Sequence, residues 1–573
     1  MTRTGAQIMC EALVRQGTRV MFGIPGGAIM PFYHALWEYR DELRHVLCRH
    51  EQGAGHAAEG YARASGDVGV CIGTSGPGAT NLVTPIADAW MDGIPLVAIT
   101  GQVSSALLGT DAFQEVDITG ITIPITKHNY LVTRAEDLQR VFAEAFHIAR
   151  TGRPGPVHID VTKDAQIAAV EPDWDAPMDL PGYTPRFDLP VGDLQQAAEL
   201  LLRSARPLML AGHGVIQSGA CAELRQFAER SGIPVVTTLH GLGALSLDHP
   251  LALGMPGMHG WVHVNRAIQS CDVLLNVGSR FDDRVTGKAA TFAPKARIIH
   301  IDVDPAQIGK VVRADVAVIA DARDALCALT TMLPPLDTRE WVASIREMEA
   351  TFKPRQAYTR RDREAALMPH DVYDAMNAAF EKRDAWRVVS DVGQHQMWAA
   401  QLLEWRRPRS HLTSGGAGTM GFAVPAALGA ALACPDDTIW VVVGDGGFQM
   451  TNQELATIAQ EGVRNVKIAV INNGYLGMVR QWQELFENRR YSGTPLSGPD
   501  FARLAEAYGM RAFTVIDAHD APAAIAAAWD HPDSALIDFR VEREANVFPM
   551  VPAGRSIGEM MLGHNSAVPA AQP

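Results

Sequence analysis

The chain has 573 residues, which is too long for one hydrophobic core and predicts three or four domains. Hydrophobic residues make up 47% of it and charged residues 20%, a composition typical of globular rather than disordered proteins. The formal net charge of −14 argues against a nucleic-acid binder that relies on a broad basic surface. No apolar run in the sequence is long enough to span a bilayer.

The N-terminus and the cysteines indicate the cellular compartment of the protein. The chain begins Met-Thr-Arg-Thr-Gly and enters a helix pattern at once, so we expect no signal or transit peptide. The seven cysteines are scattered and form no CxxC pair, which is typical of reduced thiols in a cytosol. We therefore expect a cytoplasmic, multidomain protein and favour an enzyme.

Short β-branched runs alternate with longer helical stretches, and this pattern predicts βαβ units with parallel sheets. A capping box at Thr4 and Gln7 marks the start of the first helix, and Gly17 marks its end. The predicted strands are, in chain order, 68–72, 96–100, 157–161, 208–211, 235–238, 273–277, 298–303, 388–390, 439–443, 467–471 and 535–541.

A proline-rich stretch and a charged helical stretch divide the chain into three blocks. The fold class that we predict is α/β, with a doubly wound parallel sheet in each of three domains. The predicted limits are an N-terminal domain at 1–170, a linker at 171–190, a central domain at 191–335, a helical linker at 336–368, a C-terminal domain at 369–545 and a tail at 546–573.

The third block contains the most informative motif. The strand at 439–443 runs into Gly444-Asp445-Gly446-Gly447, and the next strand ends in Asn472-Asn473-Gly474-Tyr475. Because parallel strands end at the same edge of a sheet, the Asp445 carboxylate and the Asn473 amide would meet where open α/β sheets bind ligands. A hard divalent cation prefers such oxygen ligands, completed by a backbone carbonyl and a diphosphate. The alternative is that Asp445 only caps a tight strand-to-helix turn and that the Asn-Asn pair is an unrelated turn. Because both motifs directly follow predicted strands, we favour a cation site.

This motif resembles the metal–diphosphate signature of thiamine diphosphate enzymes. The resemblance implies that Asp445 and Asn473 bind Mg²⁺ through side chains, and Tyr475 through its carbonyl. It also implies that a carboxylate from a partner chain reaches the coenzyme's aminopyrimidine, and Glu51, in His50-Glu51-Gln52-Gly53, is the candidate. A carboxyl group bonded to the ring nitrogen would favour the tautomer that accepts the C2 proton. Alone, a glutamate that starts a helix is usually just a favourable N-terminal charge.

Further motifs make the chain similar, over nearly its whole length, to the acetohydroxyacid synthase (acetolactate synthase) family of catalytic subunits. They lie at 22–27, 73–81, 110–115, 390–396 and 419–422. Family members decarboxylate pyruvate and ligate the hydroxyethyl group to a second 2-ketoacid, in branched-chain amino-acid biosynthesis. The resemblance implies PYR, central FAD-binding and PP domains, and a homodimer or tetramer with active sites between subunits. It leaves a small regulatory subunit open.

The resemblance assigns residues to three kinds of site. For catalysis it implies Glu51, Phe113, Gln114, Lys163, Arg284 and Trp482. For thiamine diphosphate it implies Glu51 again, together with Pro25, Gly26, Thr74, Gly78, Asn81, Gln394, His395, Met420, Gly444, Asp445, Gly446, Gly447, Asn473, Tyr475, Gly477 and Met478. For FAD it implies Arg153, Gly212, Gly214, Thr238, Leu239, Met258, His259, Gly278, Arg280, Asp282, Arg284, Asp302 and Asp321.

Two of these residues would serve the second 2-ketoacid. The planar guanidinium group of Arg284 would donate two hydrogen bonds to the carboxylate of the 2-ketoacid. The Trp482 ring would pack against an ethyl group of that substrate. The alternative for Arg284 is a surface ion pair with Asp282 or Asp283, and that for Trp482 is a position in a helix core. Phe113, Gln114 and Lys163 match residues that line the mouth of the site, and Met420 matches the residue that holds the coenzyme bent. The Gly-x-Gly at 212–214 is not a full dinucleotide fingerprint.

Three rival readings remain. A flavin oxidoreductase of the pyruvate oxidase type would have the same three domains, but Arg284 and Trp482 favour carboligation. A glyoxylate carboligase is the second rival, and its relatives lack the glutamate found here at position 51. A scaffold that has lost activity is the third, and it would have no need for Glu51, Asp445 and Asn473 together.

Overall fold

The structure is a computed structural model that describes residues 2–185, 188–356, 366–563 and 566–567. The parts of the predicted linkers and tail at 186–187, 357–365, 564–565 and 568–573 lie outside these residues. Within the described ranges, no helix combines the length and the apolar character needed to cross a lipid bilayer.

The first domain is a six-stranded parallel sheet with helices on both faces. Its strands are β1 (Arg3–Thr4), β2 (Val20–Gly23), β3 (Arg44–Leu47), β4 (Gly69–Gly73), β5 (Leu96–Gln102), β6 (His128–Val132), β7 (Pro156–Thr162) and β8 (Ala169–Val170). Its helices are α1 (Gly5–Arg15), α2 (Met30–Leu36), α3 (Glu51–Ser65), α4 (Pro77–Thr80), α5 (Val83–Asp92), α6 (Ile118–Thr122), α7 (Leu138–Arg150) and α8 (Lys163–Ile167). The sheet order is β3-β2-β4-β5-β7-β6, while β1 and β8 form a separate antiparallel pair.

The capping box predicted for the first helix is confirmed. The Gln7 N–H donates to Thr4 Oγ1 at 3.2 Å, and the Thr4 N–H donates to Gln7 Oε1 at 3.0 Å. The helix ends at Arg15, and Gly17 then takes a φ of 84°, which favours glycine.

The central domain has helices α9 (Val191–Leu202), α10 (His213–Gln217), α11 (Cys221–Ser231), α12 (Val262–Ser270), α13 (Asp283–Thr286) and α14 (Ala322–Met332). Its strands are β9 (Pro207–Ala211), β10 (Val235–Thr237), β11 (Ala252–Gly254), β12 (Val273–Val277), β13 (Arg297–Asp302) and β14 (Val316–Ile319). They pair in parallel in the order β11-β10-β9-β12-β13-β14. Helix α15 (Arg339–Gln356) follows and returns to this domain, where the Trp341 indole N–H donates to the Pro207 carbonyl at 3.0 Å.

The third domain has helices α16 (Pro369–Phe380), α17 (Gln394–Leu402), α18 (Ala423–Ala433), α19 (Asp445–Thr451), α20 (Glu454–Gln460), α21 (Gly477–Phe486), α22 (Phe501–Ala507) and α23 (Ala521–Asp530). Its strands are β15 (Trp386–Ser390), β16 (His411–Thr413), β17 (Thr438–Gly444), β18 (Val466–Asn472), β19 (Arg511–Val515) and β20 (Ala535–Arg540). They form a parallel sheet in the order β16-β15-β17-β18-β20-β19, and a short pair, β21 (Met561–Gly563) and β22 (Ser566–Ala567), lies beyond it. Three parallel α/β sheets confirm the predicted fold class.

The first and third domains repeat one strand order. If the six strands of each sheet are numbered along the chain, both run second, first, third, fourth, sixth, fifth. The order reverses between the first and third strands, which are β2 and β4 in the first domain and β15 and β17 in the third. Such a reversal opens a crevice at the carboxyl ends of the strands. In the central domain the reversal falls between β9 and β12.

The domains are joined by a shared core and by the C-terminal segment. Helices α3 and α18 lie so close that a Cβ atom on Gly60 would overlap the Ala426 carbonyl, which requires glycine there. Their apolar residues belong to one buried cluster that spans the first and third domains. Residues 546–563, within the predicted tail, pack on the central domain, where the Val551 N–H donates to the Met258 carbonyl at 2.8 Å.

Candidate functional site

A pocket of about 440 Å³ lies at the crevice of the third sheet, at the carboxyl ends of β15, β17 and β18. It gathers all the third-domain residues that the family resemblance assigns to thiamine diphosphate. These are Gln394, His395, Met420, Gly444, Asp445, Gly446, Gly447, Asn473, Tyr475, Gly477 and Met478. Sequence reasoning missed other lining residues, which are Val392, Gly393, Trp398, Ile471, Leu476 and Val479. Most of them are apolar neighbours of the motif residues and have no chemical signature of their own.

Asp445 and Asn473 supply oxygen atoms from neighbouring strands, as predicted. Strand β17 ends at Gly444, and α19 begins at Asp445 itself, so Gly446 and Gly447 lie inside the first helical turn rather than in a preceding loop. Asp445 is buried, and burial raises the pKa of its carboxyl group to about 7. A cation beside this carboxyl would favour its charged form. The Asn473 oxygen accepts the Tyr475 N–H at 3.1 Å and retains a second lone pair.

Two further features of this pocket bear on how it would hold a diphosphate. A Cβ atom on Gly446 would lie 2.7 Å from Leu476 Cδ2, so packing requires glycine here, and the backbone lines the pocket without a side chain. Nε2 of the buried His395 has no hydrogen-bond partner among the described residues. Burial lowers the pKa of this imidazole to about 3, so the ring is neutral and carries one N–H, and a hydrogen bond to the Asp391 backbone opposes that shift.

Met420 reaches the pocket because a buried carboxylate holds its loop. Asp391, at the end of β15, accepts the N–H of Val392 at 2.7 Å, of Gly421 at 3.0 Å and of Ala423 at 3.0 Å. The sequence motif contained Asp391 and Val392, but Gly421 and Ala423 lie 30 and 32 positions further along the chain. Their contact is therefore visible only in the folded protein.

The first-domain residues assigned to the coenzyme gather around the corresponding crevice, at the carboxyl ends of β2, β3 and β4. Glu51 is the first residue of α3, and the Asn81 amide donates to Glu51 Oε2 at 2.9 Å. A Cβ atom on Gly78 would lie 2.8 Å from Thr74 Cγ2 and 3.4 Å from Glu51 Oε1. Thr74 also lies against Gly26, which follows the exposed Pro25. The carboxylate of Glu51 is thus oriented at the rim of an open crevice.

Glu51 and Asp445 do not share a pocket within one chain. Among the described residues, none from the first domain lines the third-domain pocket. That a partner chain brings the two together stays a prediction.

The three predicted mouth residues lie in the first domain, and Gln114 contacts the turn after Thr74. Gln114 has a φ of 60°, and a Cβ atom on Gly76 would lie 2.9 Å from its carbonyl oxygen, so this loop covers the turn after Thr74. The Phe113 side chain is 88% exposed. Lys163 is half-buried at the start of α8.

The structure does not bring Arg284 or Trp482 into the pocket lining. The Arg284 side chain is 64% exposed, and its guanidinium group lies 3.6 Å from the exposed Asp283 carboxylate, which is the surface contact weighed as the alternative. Asp282 instead caps α13 by accepting the Arg284 N–H at 2.9 Å. Trp482 is half-buried on α21, the helix that begins at the pocket, and its ring lies 5.1 Å from that of Phe486.

A second, larger cleft lies between the first and central domains, at the carboxyl ends of β9, β12 and β13, with about 1030 Å³ of space partly open to solvent. The predicted FAD residues that line it are Arg153, Gly214, Thr238, Gly278, Arg280, Asp282, Asp302 and Asp321. Those outside its lining are Gly212, Leu239, Met258, His259 and Arg284. His259 and Met258 contact the C-terminal segment instead, with His259 Nδ1 3.3 Å from the Pro549 carbonyl.

Two guanidinium groups in this cleft, those of Arg153 and Arg280, suit an anion. Burial and the charge of Arg280 lower the pKa of Arg153. Neither guanidinium group has an ion-pair partner in the described part of the chain. Burial raises the pKa of Asp302 to about 6, which reduces the negative charge opposite the arginines. Guanidinium groups without carboxylate partners match the geometry and charge of a diphosphate.

A buried polar junction lies at one end of the cleft, and sequence reasoning missed it. Asp92 accepts a bond from the Arg63 guanidinium at 2.8 Å, and its carboxylate lies 3.1 Å from His240 Nε2. The Gly416 N–H also donates to Asp92 at 2.7 Å, so residues of all three domains meet here. These contacts hold the walls of the cleft together.

Comparison with known families agrees with this arrangement. Models of the thiamine pyrophosphate enzyme family match residues 3–121 with the N-terminal TPP binding domain, 194–329 with the central domain and 391–539 with the C-terminal TPP binding domain. The chain therefore belongs to the thiamine pyrophosphate enzymes, in agreement with the residues gathered in the two crevices.

The relatives narrow the family. An acetolactate synthase large subunit of Corynebacterium glutamicum is 51% identical over 564 residues, covering 96% of this chain and 89% of that protein. An acetolactate synthase of Mycobacterium bovis is 50% identical over 571 residues, covering 97% and 91%. The acetolactate synthase isozyme 2 large subunit of Escherichia coli is 45% identical over 560 residues, covering 97% and 99%. Within the thiamine pyrophosphate enzymes, the chain belongs to the family of acetolactate synthase large subunits, and the predicted resemblance is confirmed.

Proposed function

We propose that this chain is the catalytic subunit of an acetolactate synthase. It decarboxylates pyruvate and joins the remaining two-carbon unit to a second 2-ketoacid, which is pyruvate or 2-ketobutyrate. This is the first common step in the biosynthesis of valine, leucine and isoleucine. The observation that carries the proposal is the pocket in which Asp445 and Asn473 present oxygen atoms beside bare glycine backbone, in a chain up to 51% identical to acetolactate synthase large subunits.

Thiamine diphosphate and Mg²⁺ are the groups that we assign to this pocket. Asp445 and Asn473 would hold the cation through side-chain oxygens, and Tyr475 through its carbonyl. The neutral His395 ring would lie against the diphosphate, and Met420 would pack against the coenzyme. When bound, thiamine diphosphate supplies an electron sink for the electrons that CO₂ leaves behind.

Glu51 is the proton-handling residue in this proposal. The Asn81 amide holds one carboxylate oxygen and leaves the other free to bond the coenzyme's ring nitrogen. Because the pocket lining of one chain lacks Glu51, the active site would form between two chains of a homodimer or tetramer.

Arg284 and Trp482 would select the second 2-ketoacid. The ion pair of Arg284 with Asp283 is exposed and therefore weak, so the guanidinium group can exchange it for a substrate carboxylate. Trp482 would pack against the alkyl group of the substrate. One extra methylene in an apolar pocket is worth roughly 1–3 kcal/mol, so the preference for 2-ketobutyrate by this route is modest.

FAD is the ligand that we assign to the cleft between the first and central domains. Arg153 and Arg280 would bind its diphosphate, and Asp302 and Asp321 lie along the same cleft. The proposal is supported by the size of the cleft and by two guanidinium groups without carboxylate partners.

Two features bear on partners and location. Several relatives are named large subunits, which supports a small regulatory subunit as a partner of this chain. The cysteines are free, and this supports a reducing compartment such as the cytoplasm.

Product analysis tests the proposed function directly. The purified chain is incubated with thiamine diphosphate, Mg²⁺ and pyruvate, with and without 2-ketobutyrate and with and without FAD. We expect 2-acetolactate from pyruvate alone and 2-aceto-2-hydroxybutyrate when 2-ketobutyrate is added. Oxygen uptake stoichiometric with pyruvate loss would instead indicate a flavin oxidoreductase, and unchanged pyruvate would contradict the proposal.

A further inference from the structure

A carboxylate of the third domain reaches into the first domain beside Glu51. Helix α20 begins at Glu454, and Glu454 Oε1 accepts the Arg49 N–H at 3.1 Å and the His50 N–H at 3.2 Å. The Thr457 hydroxyl donates to Oε2 at 2.7 Å and fixes the carboxylate from its own helix. The two N–H groups that Glu454 accepts belong to the residues directly before Glu51.

This contact is buried and charge-assisted. Glu454 is fully buried, and burial raises the pKa of its carboxyl group while the bonds from Thr457, Arg49 and His50 oppose that shift. The N–H groups at the start of a helix carry partial positive charge, so an anion there stabilises the helix end. Hydrogen bonds to a carboxylate are also stronger than those to a neutral acceptor. The bonds therefore favour one position for the start of α3.

The first turn of α3 rests directly on this side chain. A Cβ atom on Gly53 would overlap Glu454 Oε1 and lie 2.9 Å from its Cδ atom. Glu51 belongs to the same turn, so a displacement of the turn moves the Glu51 carboxylate with it. Misplacement of a reacting group by about 1 Å can reduce a rate about 100-fold.

We propose that Glu454 is a positioning residue for Glu51, which it holds by accepting the backbone N–H groups of Arg49 and His50 across the boundary between the third and first domains. The inference rests on the proposed function, in which Glu51 handles the coenzyme's proton. It adds that a residue of the diphosphate-binding domain sets where that carboxylate stands.

The test compares two glutamates that both reach from the third domain to the first. Glu454→Gln removes the charge at the start of α3. Glu461→Gln is the matched control, because the Glu461 carboxylate pairs with Arg44 at 2.9 Å, on the strand before α3. Gly53→Ala is a second variant, which keeps the Glu454 charge but pushes the carboxylate away.

The first measurement needs no coenzyme. Amide hydrogen exchange of residues 49–55 in the full chain should be about tenfold faster in Glu454→Gln than in the wild type, and unchanged in Glu461→Gln. Gly53→Ala should change exchange in the same segment. Unchanged exchange in both Glu454→Gln and Gly53→Ala would overturn the proposal.

The second measurement separates positioning from general stability. In the holoenzyme without substrate, exchange of the coenzyme's C2 proton should slow about 10- to 100-fold in Glu454→Gln. The kcat should fall by the same factor while the KM for pyruvate stays within about twofold, because substrate contacts are untouched. Wild-type C2 exchange in Glu454→Gln would overturn this inference alone. Absence of C2 exchange in the wild-type chain would overturn the proposed function and this inference with it.

Discussion

The first and third domains share a strand order and place their functional residues at the same crevice, yet the two crevices differ in chemistry. In the third, Asp445 and Asn473 point oxygen atoms into a buried pocket beside bare glycine backbone. In the first, Glu51 and Asn81 stand at an open rim. The topology of the sheet determines where a ligand can bind, and the side chains at the strand ends determine which part of it they serve.

The two crevices would serve two different parts of one coenzyme. In the proposed function, the third-domain crevice would hold the anionic diphosphate and its cation, and the first-domain crevice would handle the proton at the coenzyme's ring. The central cleft is a third case, because it would bind a diphosphate through Arg153 and Arg280 without a metal. Variants in the third-domain crevice, the first-domain crevice and the central cleft should therefore lose different properties, namely coenzyme binding, turnover and FAD binding.

The largest effect is expected from Glu51→Gln. This change keeps the shape of the side chain but removes its proton-handling group, so kcat should fall about 10²- to 10⁴-fold. Affinity for thiamine diphosphate and for FAD should stay within a few-fold, since the diphosphate pocket and the central cleft are unaltered. Turnover assays and fluorescence titrations measure both, with Glu38→Gln, an exposed carboxylate of the same domain, as the control. Turnover near the wild-type value would contradict the role of Glu51.

Asp445→Asn should impair the binding of thiamine diphosphate, whereas Glu51→Gln should impair turnover by the bound coenzyme. Loss of a charged oxygen ligand should weaken Mg²⁺-dependent coenzyme binding by on the order of 100-fold. Chelation of the wild type with EDTA should likewise release thiamine diphosphate and leave FAD in place. Both are measured as coenzyme retained after gel filtration. Retention of the coenzyme after chelation would show that the third-domain pocket works without a cation.

Arg280→Gln is expected to impair the binding of FAD and to spare the binding of thiamine diphosphate. Removal of one guanidinium group from the central cleft should weaken FAD binding roughly 10- to 100-fold, while thiamine diphosphate binding is unchanged. Flavin fluorescence titration measures the change. Arg297→Gln is the matched control, because Arg297 already pairs with Asp315 at 2.7 Å outside the cleft. Equal flavin affinity in both variants would argue against a diphosphate between Arg153 and Arg280.

The smallest effect concerns pH. Since the pKa of Asp445 is raised to about 7, a proton competes with the cation as pH falls through that value. Mg²⁺ affinity should be nearly constant above pH 8 and fall about tenfold per pH unit below 7. Titration of Mg²⁺ at pH 6, 7 and 8 in the presence of coenzyme measures this. Residual binding in Asp445→Asn should lack the dependence, and a flat wild-type profile would contradict the assignment.

Local sequence patterns were enough to predict much of the fold and of the third-domain site. The capping box at Thr4 and the strand that runs into Asp445 are short-range features, which depend on the few residues around them. Asp445 and Asn473 could be paired in advance because consecutive parallel strands end at one edge of a sheet. The members of the FAD cleft came instead from family resemblance, and several of them, such as Met258 and His259, lie outside its lining.

Contacts between distant residues leave no periodic trace in the chain, and these required the folded molecule. Glu454 and Arg49 are 405 positions apart, and nothing around either residue indicates the hydrogen bond between them. The same holds for the N–H groups of Gly421 and Ala423 that Asp391 accepts, and for Arg153 and Arg280, which line the same cleft. Residue type and spacing encode local conformation and the edge of a sheet, whereas the partner of a buried charge depends on how whole domains pack.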